Sequence, residues 1–243
     1  MNAFDASGSA TPLLVVQRLH KSFASVQVLR GIDFRIAPSE KVCIIGPSGS
    51  GKTTLLNLLG GLDVPSAGSI TVDGDEITHM SSSKLTEWRA RHVGFIFQMY
   101  NLIPVLTAFQ NVELPLLLTK LSKSDRRKHV ETALAIVGLA DRMHHFPRQL
   151  SGGQEQRVTI ARAIVSDPTF LLCDEPTGDL DRKSADEVMA LIEELVGKYN
   201  KTVLMVTHDP VVASRAHTTL HLEKGVLVEA ARSQEAVLAG GAA

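Results

Sequence analysis

Short apolar runs that end at polar or turn-forming residues alternate along this chain with longer stretches of helical periodicity. Four of the runs predict buried strands, at residues 42–45, 93–97, 170–175 and 202–206. Helices are predicted at residues 53–59 and 185–196, and also where Val158 and Ile164 bound a set of apolar positions at helical spacing. Buried strands mixed with helices in this way favour an α/β fold.

Two other regions carry strand signals of the hairpin type. Near the start of the chain, three short strands are predicted at residues 13–19, 26–29 and 33–36. Gly31 is interpreted as the turn between the last two of them. Near the end, apolar segments flank Lys224 and Gly225, which predicts a hairpin there. The chain should therefore carry antiparallel strands in addition to the buried ones.

The region from Thr107 to about Leu139 changes to helical periodicity and a higher charge density, as an inserted helical subdomain would. Its basic cluster is interpreted as a solvated helix face, with a binding patch as the alternative; its members are Lys120, Lys123, Arg126, Arg127 and Lys128.

Length and composition exclude several classes of protein. The chain has 243 residues, 44% of them hydrophobic, and a formal net charge of −1, which fits a globular domain and gives no global basic field for nucleic acid. No apolar run approaches the roughly 18 residues that cross a bilayer, and no signal segment is evident, so a cytosolic location is expected. Cys43 and Cys173 lie in predicted buried strands, where a disulfide or metal site is not expected. Residues 1–11 and 236–243 are predicted to be disordered.

A glycine-rich turn joins the strand at residues 42–45 to the helix at residues 53–59. Glycines let successive backbone N–H groups point at one anion, and the helix adds the positive end of its dipole. Lys52 supplies a point charge for β- and γ-phosphates, and the Thr53 hydroxyl can bind Mg²⁺. The turn is therefore predicted to bind phosphate, and its residues are Gly46, Pro47, Ser48, Gly49, Ser50, Gly51, Lys52, Thr53 and Thr54. The alternative is an ordinary turn between strand and helix.

Polar residues with metal and proton chemistry follow three of the apolar strands. Asp174 and Glu175 end one strand, and on a strand they would point to opposite faces, Asp174 toward Mg²⁺ and Glu175 toward water. Gln98 ends another, where its amide could reach a metal or an attacking water. His208 follows the last strand and could bind a terminal phosphate. Taken singly, each is also compatible with an ordinary strand end, loop or surface residue.

Two more features have a functional and a structural interpretation. Phe23 could stack on an adenine ring if it is exposed, or it could be a core phenylalanine. A second glycine-rich helix start is a second potential anion site; it follows Leu150 and consists of Ser151, Gly152, Gly153 and Gln154.

Together these stretches resemble the nucleotide-binding subunit of ATP-binding-cassette (ABC) transporters, over about residues 13–230. The resemblance rests on seven motifs in the family's order. They are the aromatic Phe23, the Walker A loop from Gly46 to Thr53, Gln98 of the Q-loop, the signature from Leu150 to Gln154, the Walker B residues Asp174 and Glu175, the loop from Gly178 to Asp181, and the switch His208. Phe23 stands where tyrosine is common, and Cys173 where alanine is. The resemblance implies an α/β P-loop NTPase (RecA-like) core with an antiparallel β subdomain. It places the ABC domain at residues 12–235 and the inserted helical subdomain at about 99–162.

The resemblance also implies a mechanism. Two subunits would pack head to tail, as a homodimer or a heterodimer, with each ATP between the phosphate loop of one and the signature of the other. Glu175, His208, Gln98 and Lys52 would be catalytic, and Thr53, Gln98 and Asp174 would place Mg²⁺. Phe23 would stack on adenine, while Asp179 and Asp181 would link the two sites.

Loop sequences around Gly60, after Gln98 and around Glu113 resemble the lipoprotein-release and macrolide-export branch of this family. Members of that branch work with an integral-membrane permease that has a large extracytoplasmic domain. The ATPase itself would lie at the cytoplasmic face of the inner membrane. Apolar residues after Gln98 would help to line the groove that receives the permease's coupling helix. An equally good interpretation for several of them is that they belong to a buried core. Two alternatives remain: the ATPase of a division or signalling complex, and a soluble ABC ATPase that acts on nucleic acid.

Overall fold

The computed structural model describes residues 11–232 and divides the chain into two compact units. Described residues up to Arg89 and from Asn200 onward form the first unit, and Ala90–Tyr199 forms the second. In chain order the elements are β1 (Leu14–Phe23), β2 (Val26–Ile36), β3 (Lys41–Ile45), α1 (Lys52–Leu59), β4 (Ala67–Val72), β5 (Asp75–Glu76), α2 (Ser82–His92), β6 (Val93–Phe97), α3 (Ala108–Glu113), α4 (Lys123–Ile136), α5 (Gly152–Ile164), β7 (Phe170–Asp174), α6 (Arg182–Gly197), β8 (Thr202–Thr207), α7 (Pro210–Ser214), β9 (Thr218–Glu223) and β10 (Val226–Arg232). Short 3₁₀ turns occupy Leu114–Leu118, Ala140–Arg142 and Pro147–Gln149.

An antiparallel sheet in the first unit has the strand order β2-β1-β4-β5. The prediction of two strands at residues 26–29 and 33–36 was wrong, because β2 runs through Gly31 without a break. Gly31 has a φ of +78°, and the pairing of β1 with β2 shifts register near Leu19. The positive φ is therefore accommodated by an irregularity in the strand pairing, and β2 continues past it. The inward face of β1 and β2 is buried and mostly apolar, although it includes Lys21.

Parallel strands in the same unit build the support for the glycine-rich turn. β3 lies between β8 and β9 and is parallel to both, with Ile45 opposite Thr207 on one side and His221 on the other. β3 and β8 are buried along almost their whole length, as strands of a parallel sheet are. β9 and β10 form the predicted hairpin, and Lys224 and Gly225 both have positive φ angles there. The prediction of buried strands at residues 42–45 and 202–206 is confirmed.

The second unit combines a parallel strand pair with helices. β6 and β7 pair in parallel, with Phe97 opposite Asp174. On α5 the predicted apolar positions from Val158 to Ile164 are buried, while α4 buries only Val130, Ala133 and Leu134. Members of the basic cluster on α4 pair with acidic side chains close by: Arg126 with Glu113, Arg127 with Glu131, and Lys128 with Asp125. These pairs favour the solvated-face interpretation of the cluster.

Some sequence predictions concern parts of the chain that the structure does not describe. Disorder was predicted for residues 1–11 and 236–243, which lie outside the described residues apart from Thr11. A separate subdomain at about residues 99–162 stays a prediction. Cys43 and Cys173 are buried on β3 and β7. Among residues 11–232, no helix is both long enough and apolar enough to cross a membrane.

Candidate functional site

The glycine-rich turn leaves β3 at its carboxyl end and enters α1. Gly51 precedes the helix with a φ of +106°, and Gly49 has a φ of +78°, so these two positions need glycine. No described side chain caps α1, whereas a hydroxyl or carboxylate caps each of α3, α4, α5, α6 and α7. The start of α1 therefore lacks the side-chain cap that those helices have, and the helix dipole favours an anion there.

Side chains of the turn also suit a phosphate. The Lys52 ammonium donates to the Gly46 carbonyl oxygen at 2.7 Å and to that of Pro47 at 3.1 Å. An ammonium has three donors, so it can hold the turn and still contact an anion. The Ser50 hydroxyl is buried and has no hydrogen-bond partner among the described residues, which is costly unless a ligand supplies one. Gly46 cannot carry a side chain, because a Cβ there would collide with the Leu222 carbonyl oxygen.

His208 follows β8 at the edge where the turn follows β3. Since Ile45 lies opposite Thr207 in the parallel register, the turn and His208 leave the sheet side by side. The His208 side chain is exposed, and so is Thr53 in the first turn of α1. The first unit therefore brings the phosphate loop, Thr53 and His208 to one edge of its parallel sheet.

Phe23 lies at the end of β1, and its ring is 49% exposed. This exposure excludes the interpretation of Phe23 as a core phenylalanine. The Lys21 ammonium lies 4.6 Å from the centre of the ring, a cation–π distance. Sequence reasoning missed Lys21. A lysine two residues before an exposed aromatic on a strand was the available signal, because both side chains then fall on one face.

In the second unit, β6 and β7 present Gln98 and Asp174 at one edge. Phe97 lies opposite Asp174 in the parallel register, so Gln98 leaves the sheet at the same edge as Asp174. The Gln98 amide nitrogen donates to Asp179 Oδ1 at 3.0 Å, which leaves the amide oxygen as the group suited to a metal. Gly178 approaches the same amide closely. The unit thus joins the Q-loop and Walker B residues to the loop from Gly178 to Asp181.

Glu175 does not continue the strand, contrary to the prediction that it would alternate with Asp174. β7 ends at Asp174, and Glu175 adopts a left-handed backbone with a φ of +49°. Such a conformation costs a non-glycine residue on the order of 1 kcal/mol, and it occurs mainly where function or tight turns require it. The Gly178 N–H donates to the Glu175 carbonyl at 3.0 Å and closes the turn. This turn, rather than strand alternation, aims the Glu175 carboxylate.

The signature residues form the start of α5. The Ser151 hydroxyl accepts from the Gln154 N–H, and the Gln154 side chain accepts from the Ser151 N–H at 2.9 Å. This capping box orients the Ser151 hydroxyl, whose own proton can donate to an anion. Ser151 and Gly152 are exposed, whereas Gly153 is buried against Ser184 at the start of α6. The helix start therefore presents its first residues outward.

Gln156 is a buried residue that sequence reasoning missed. Its amide nitrogen donates to the carbonyl oxygens of Pro176 at 2.6 Å and Phe97 at 3.3 Å. Its amide oxygen accepts from the Thr159 hydroxyl at 2.9 Å. A polar side chain within the apolar stripe of α5 was the available signal. Gln156 ties the signature helix to the ends of β6 and β7.

Tyr100 makes a second connection between the Q-loop and the signature. Its hydroxyl approaches Gly152 so closely that a Cβ there would lie 2.8 Å away. Burial, and then the charges of Asp179 and Glu155, raise the pKa of Tyr100 above its usual 10.0, so the phenol keeps its proton at neutral pH. Burial also raises the pKa of Glu155. Arg162 fixes the segment by donating to the Tyr100 carbonyl at 3.0 Å.

Comparison with known proteins decides the family. The family model described as "ABC transporter" matches residues 29–178. The chain belongs to the ABC transporter family. It is 42% identical to the lipoprotein-releasing system ATP-binding protein LolD of Hahella chejuensis, over 91% of this chain and 98% of that protein. It is 45% identical to the macrolide export ATP-binding/permease protein MacB of Rhodopseudomonas palustris, over 90% of this chain but 34% of that protein.

A solved structure shows the same fold. The chain superposes with a TM-score of 0.82 and 37% identity on the ATP-binding cassette MJ0796, a dimer in a post-hydrolysis state bound to ADP and Pi. The match covers 90% of this chain and 98% of that one. These comparisons confirm the predicted P-loop NTPase fold and the resemblance to the lipoprotein-release and macrolide-export branch. The chain is an ABC ATPase.

Proposed function

We propose that this chain hydrolyses ATP as one half of a head-to-tail pair and thereby drives a separate integral-membrane permease. The observation that carries the proposal is that one chain has two helix starts suited to an anion, the start of α1 without a side-chain cap and the exposed start of α5. One cassette would bind the phosphates with Lys52 and the backbone of its phosphate loop. The Ser151 hydroxyl and the N–H groups that follow it would contact the γ-phosphate held by the partner subunit.

Hydrolysis needs a base, and Glu175 is proposed for this role. Its carboxylate would accept a proton from the attacking water, while His208 and Lys52 would hold the terminal phosphate. Gln98 would help to orient the water, and its bond to Asp179 connects it to the loop that follows Walker B. The left-handed turn at Glu175 supports this assignment, because strained backbone is retained where a side chain must be aimed.

The residues proposed for Mg²⁺ carry suitable ligands. Thr53 offers a hydroxyl, Gln98 an amide oxygen and Asp174 a carboxylate, which are the hard oxygen donors that Mg²⁺ prefers. The ion, when bound, would neutralise charge that develops on the β- and γ-phosphate oxygens. Phe23 is proposed to stack on the adenine ring, which its exposure supports.

The permease is proposed to contact the segment after Gln98. Met99 is 70% exposed and Val105 is 76% exposed, whereas a buried core was the alternative for this segment. Leu117 and Leu118 of the nearby 3₁₀ turn are exposed as well. Apolar side chains exposed in neighbouring segments suit a protein partner. Because the relatives include LolD and MacB, the proposed work is lipoprotein release, export or the transmission of motion across the membrane.

Copurification tests this proposal. A tagged Glu175→Gln form would be expressed in the native cell, and its membranes would be solubilised gently with ATP and Mg²⁺ present. The expected result is an integral-membrane chain with a large extracytoplasmic domain, which would place the ATPase at the membrane; its proposed position there is the cytoplasmic face. If only soluble proteins or nucleic acid were recovered, the transport assignment would fall while the ATPase assignment stood.

A further inference from the structure

Lys21 is a buried lysine to which the proposed mechanism gives no role. The residue is 7% exposed, and its ammonium donates to Asp63 Oδ1 at 2.7 Å and to the Val64 carbonyl oxygen at 2.8 Å. The same ammonium lies 4.6 Å from the centre of the Phe23 ring. A buried ammonium needs such partners, because burial without them is costly. Here the partners fix its position beneath an exposed aromatic ring.

The anchor of Lys21 is continuous with the phosphate-loop helix. The N–H groups of Leu62 and Asp63 donate to the Asn57 carbonyl in the last turn of α1, at 2.8 and 3.3 Å. Asp63 Oδ1 also accepts from the Val64 N–H at 2.7 Å, which holds the carboxylate in place. The segment that binds the Lys21 ammonium is thereby tied to the end of α1.

Two hydrogen bonds to Ser66, one on each side of Lys21, reinforce this connection. The Ser66 N–H donates to the His20 carbonyl at 2.9 Å, and the Ser22 N–H donates to the Ser66 hydroxyl at 3.0 Å. Residues on both sides of Lys21 are therefore hydrogen-bonded to the segment after α1. The position of the ammonium follows the position of α1, and α1 carries the phosphate loop at its other end.

We infer that Lys21 is a positioning residue for the base of the nucleotide. It holds the Phe23 ring at a fixed place relative to α1, so that adenine can stack on the ring while the phosphates occupy the loop. The inference rests on the proposed stacking of Phe23 on adenine. A cation–π contact favours one orientation of the ring before the nucleotide arrives, and preorganisation of this kind raises affinity without touching the ligand.

Binding measurements on the intact chain test the inference. Calorimetry would compare Mg·ATP with Mg·tripolyphosphate, which lacks the base. Lys21→Met is expected to weaken ATP binding by about three- to tenfold, the range that a cation–π contact supports, and to leave tripolyphosphate binding unchanged. In Phe23→Ala the ring is gone, so adding Lys21→Met to it should weaken ATP binding no further.

Lys198→Met is the matched control. Lys198 also pairs with a carboxylate, Glu194 at 3.1 Å, and lies 5.4 Å from the centre of the Tyr199 ring, but it belongs to the second unit. Its substitution should leave the affinity for both ligands unchanged.

The outcomes separate the inference from the function on which it rests. Unchanged ATP affinity in Lys21→Met, or an equal loss for tripolyphosphate, would overturn the positioning role, even if Phe23→Ala weakens ATP binding. Unchanged ATP affinity in Phe23→Ala would overturn adenine stacking and this inference with it. If Lys21→Met does not fold, Asp63→Asn replaces it, since it loosens the anchor and keeps the lysine; the same selective loss is expected, and its absence would overturn the inference.

Discussion

At the scale of single residues, the site depends on backbone positions that tolerate little change. Gly46 lies against the Leu222 carbonyl, so space is the limit there. Gly49 has open space around it but a φ of +78°, so conformation is the limit. Glu175 has a left-handed backbone in spite of its side chain. The sequence predicted the conformational role of the glycines, but the close approach at Gly46 and the left-handed backbone of Glu175 needed the structure.

Substitution of Gly46 tests the close approach. Gly46→Ala should displace β9 or the phosphate loop, lower the midpoint of thermal unfolding by several degrees and abolish ATP binding, because a collision with backbone cannot be relieved by a side-chain rotation. Gly49→Ala is the control, and it should cost only about 1 kcal/mol for the positive φ. Thermal melts of both variants provide the comparison, and nucleotide titration reports on Gly46→Ala. Equal losses of thermal stability in the two variants would contradict the steric explanation for Gly46.

At the scale of helices and strands, the buried elements were predictable and the polar ones were not. β3, β6 and β8 are visible in the sequence as apolar runs, and the apolar stripe on α5 has a helical period. α2 was missed because Leu85 and Trp88 are its only buried residues among eleven. β2 was divided in two because glycine signals a turn in sequence, whereas here the neighbouring strand takes up the irregularity. Motifs identified the candidate residues, but their mutual contacts through Gln156 and Tyr100 needed the structure.

Gln156 should stabilise the junction of α5 with the ends of β6 and β7. Gln156→Ala leaves buried carbonyls of Phe97 and Pro176 without their donor, at a cost of about 2–3 kcal/mol. For a chain of this length the midpoint of thermal unfolding should fall by roughly 5–10 °C. Gln17 on β1 is exposed, so Gln17→Ala should change the midpoint little. A midpoint of thermal unfolding for Gln156→Ala equal to that of wild type would contradict the stabilising role of Gln156.

Asp181 should make the start of α6 sensitive to acid. Its carboxylate accepts from the hydroxyl and the N–H of Ser184, which lowers its pKa below the usual 3.8. Because the folded pKa is the lower one, this stabilisation is present above pH 3.8 and is lost as the pH falls through the folded pKa. Asp181→Asn keeps a capping side chain without the charge. Between neutral pH and about pH 2 its melting temperature should fall less than that of wild type, and equal falls would contradict the assignment.

At the scale of the whole molecule, the two units carry complementary halves of the proposed machinery. The first carries the phosphate loop, His208 and Phe23, and the second carries Gln98, the carboxylates Asp174 and Glu175 at the end of β7, and the signature. The family was predictable from the order of the motifs and the branch from the loop sequences around Gly60, Gln98 and Glu113, because each of these features is local in sequence. The partner was not, since its identity belongs to another polypeptide.

The exposed apolar residues after Gln98 should govern recovery of the membrane partner. Val105→Glu places a charge on that surface, so it should lower the amount of membrane protein that copurifies by about tenfold while the basal ATPase rate stays within about twofold of wild type. Val211 on α7 is 65% exposed and lies in the first unit, so Val211→Glu serves as the control. Equal recovery with both variants would exclude Val105 from the interface.

The most direct test of the account is the mass of Glu175→Gln in solution, measured by light scattering with and without Mg·ATP. We expect a monomer of 26.2 kDa without nucleotide and a particle of about twice that mass with it. ATP turnover should fall by a factor on the order of 10²–10³, because the base is gone and the nucleotide is retained. Adding Ser151→Arg should block the dimer and spare ATP binding. Undiminished turnover, or a monomer at saturating ATP, would contradict the account.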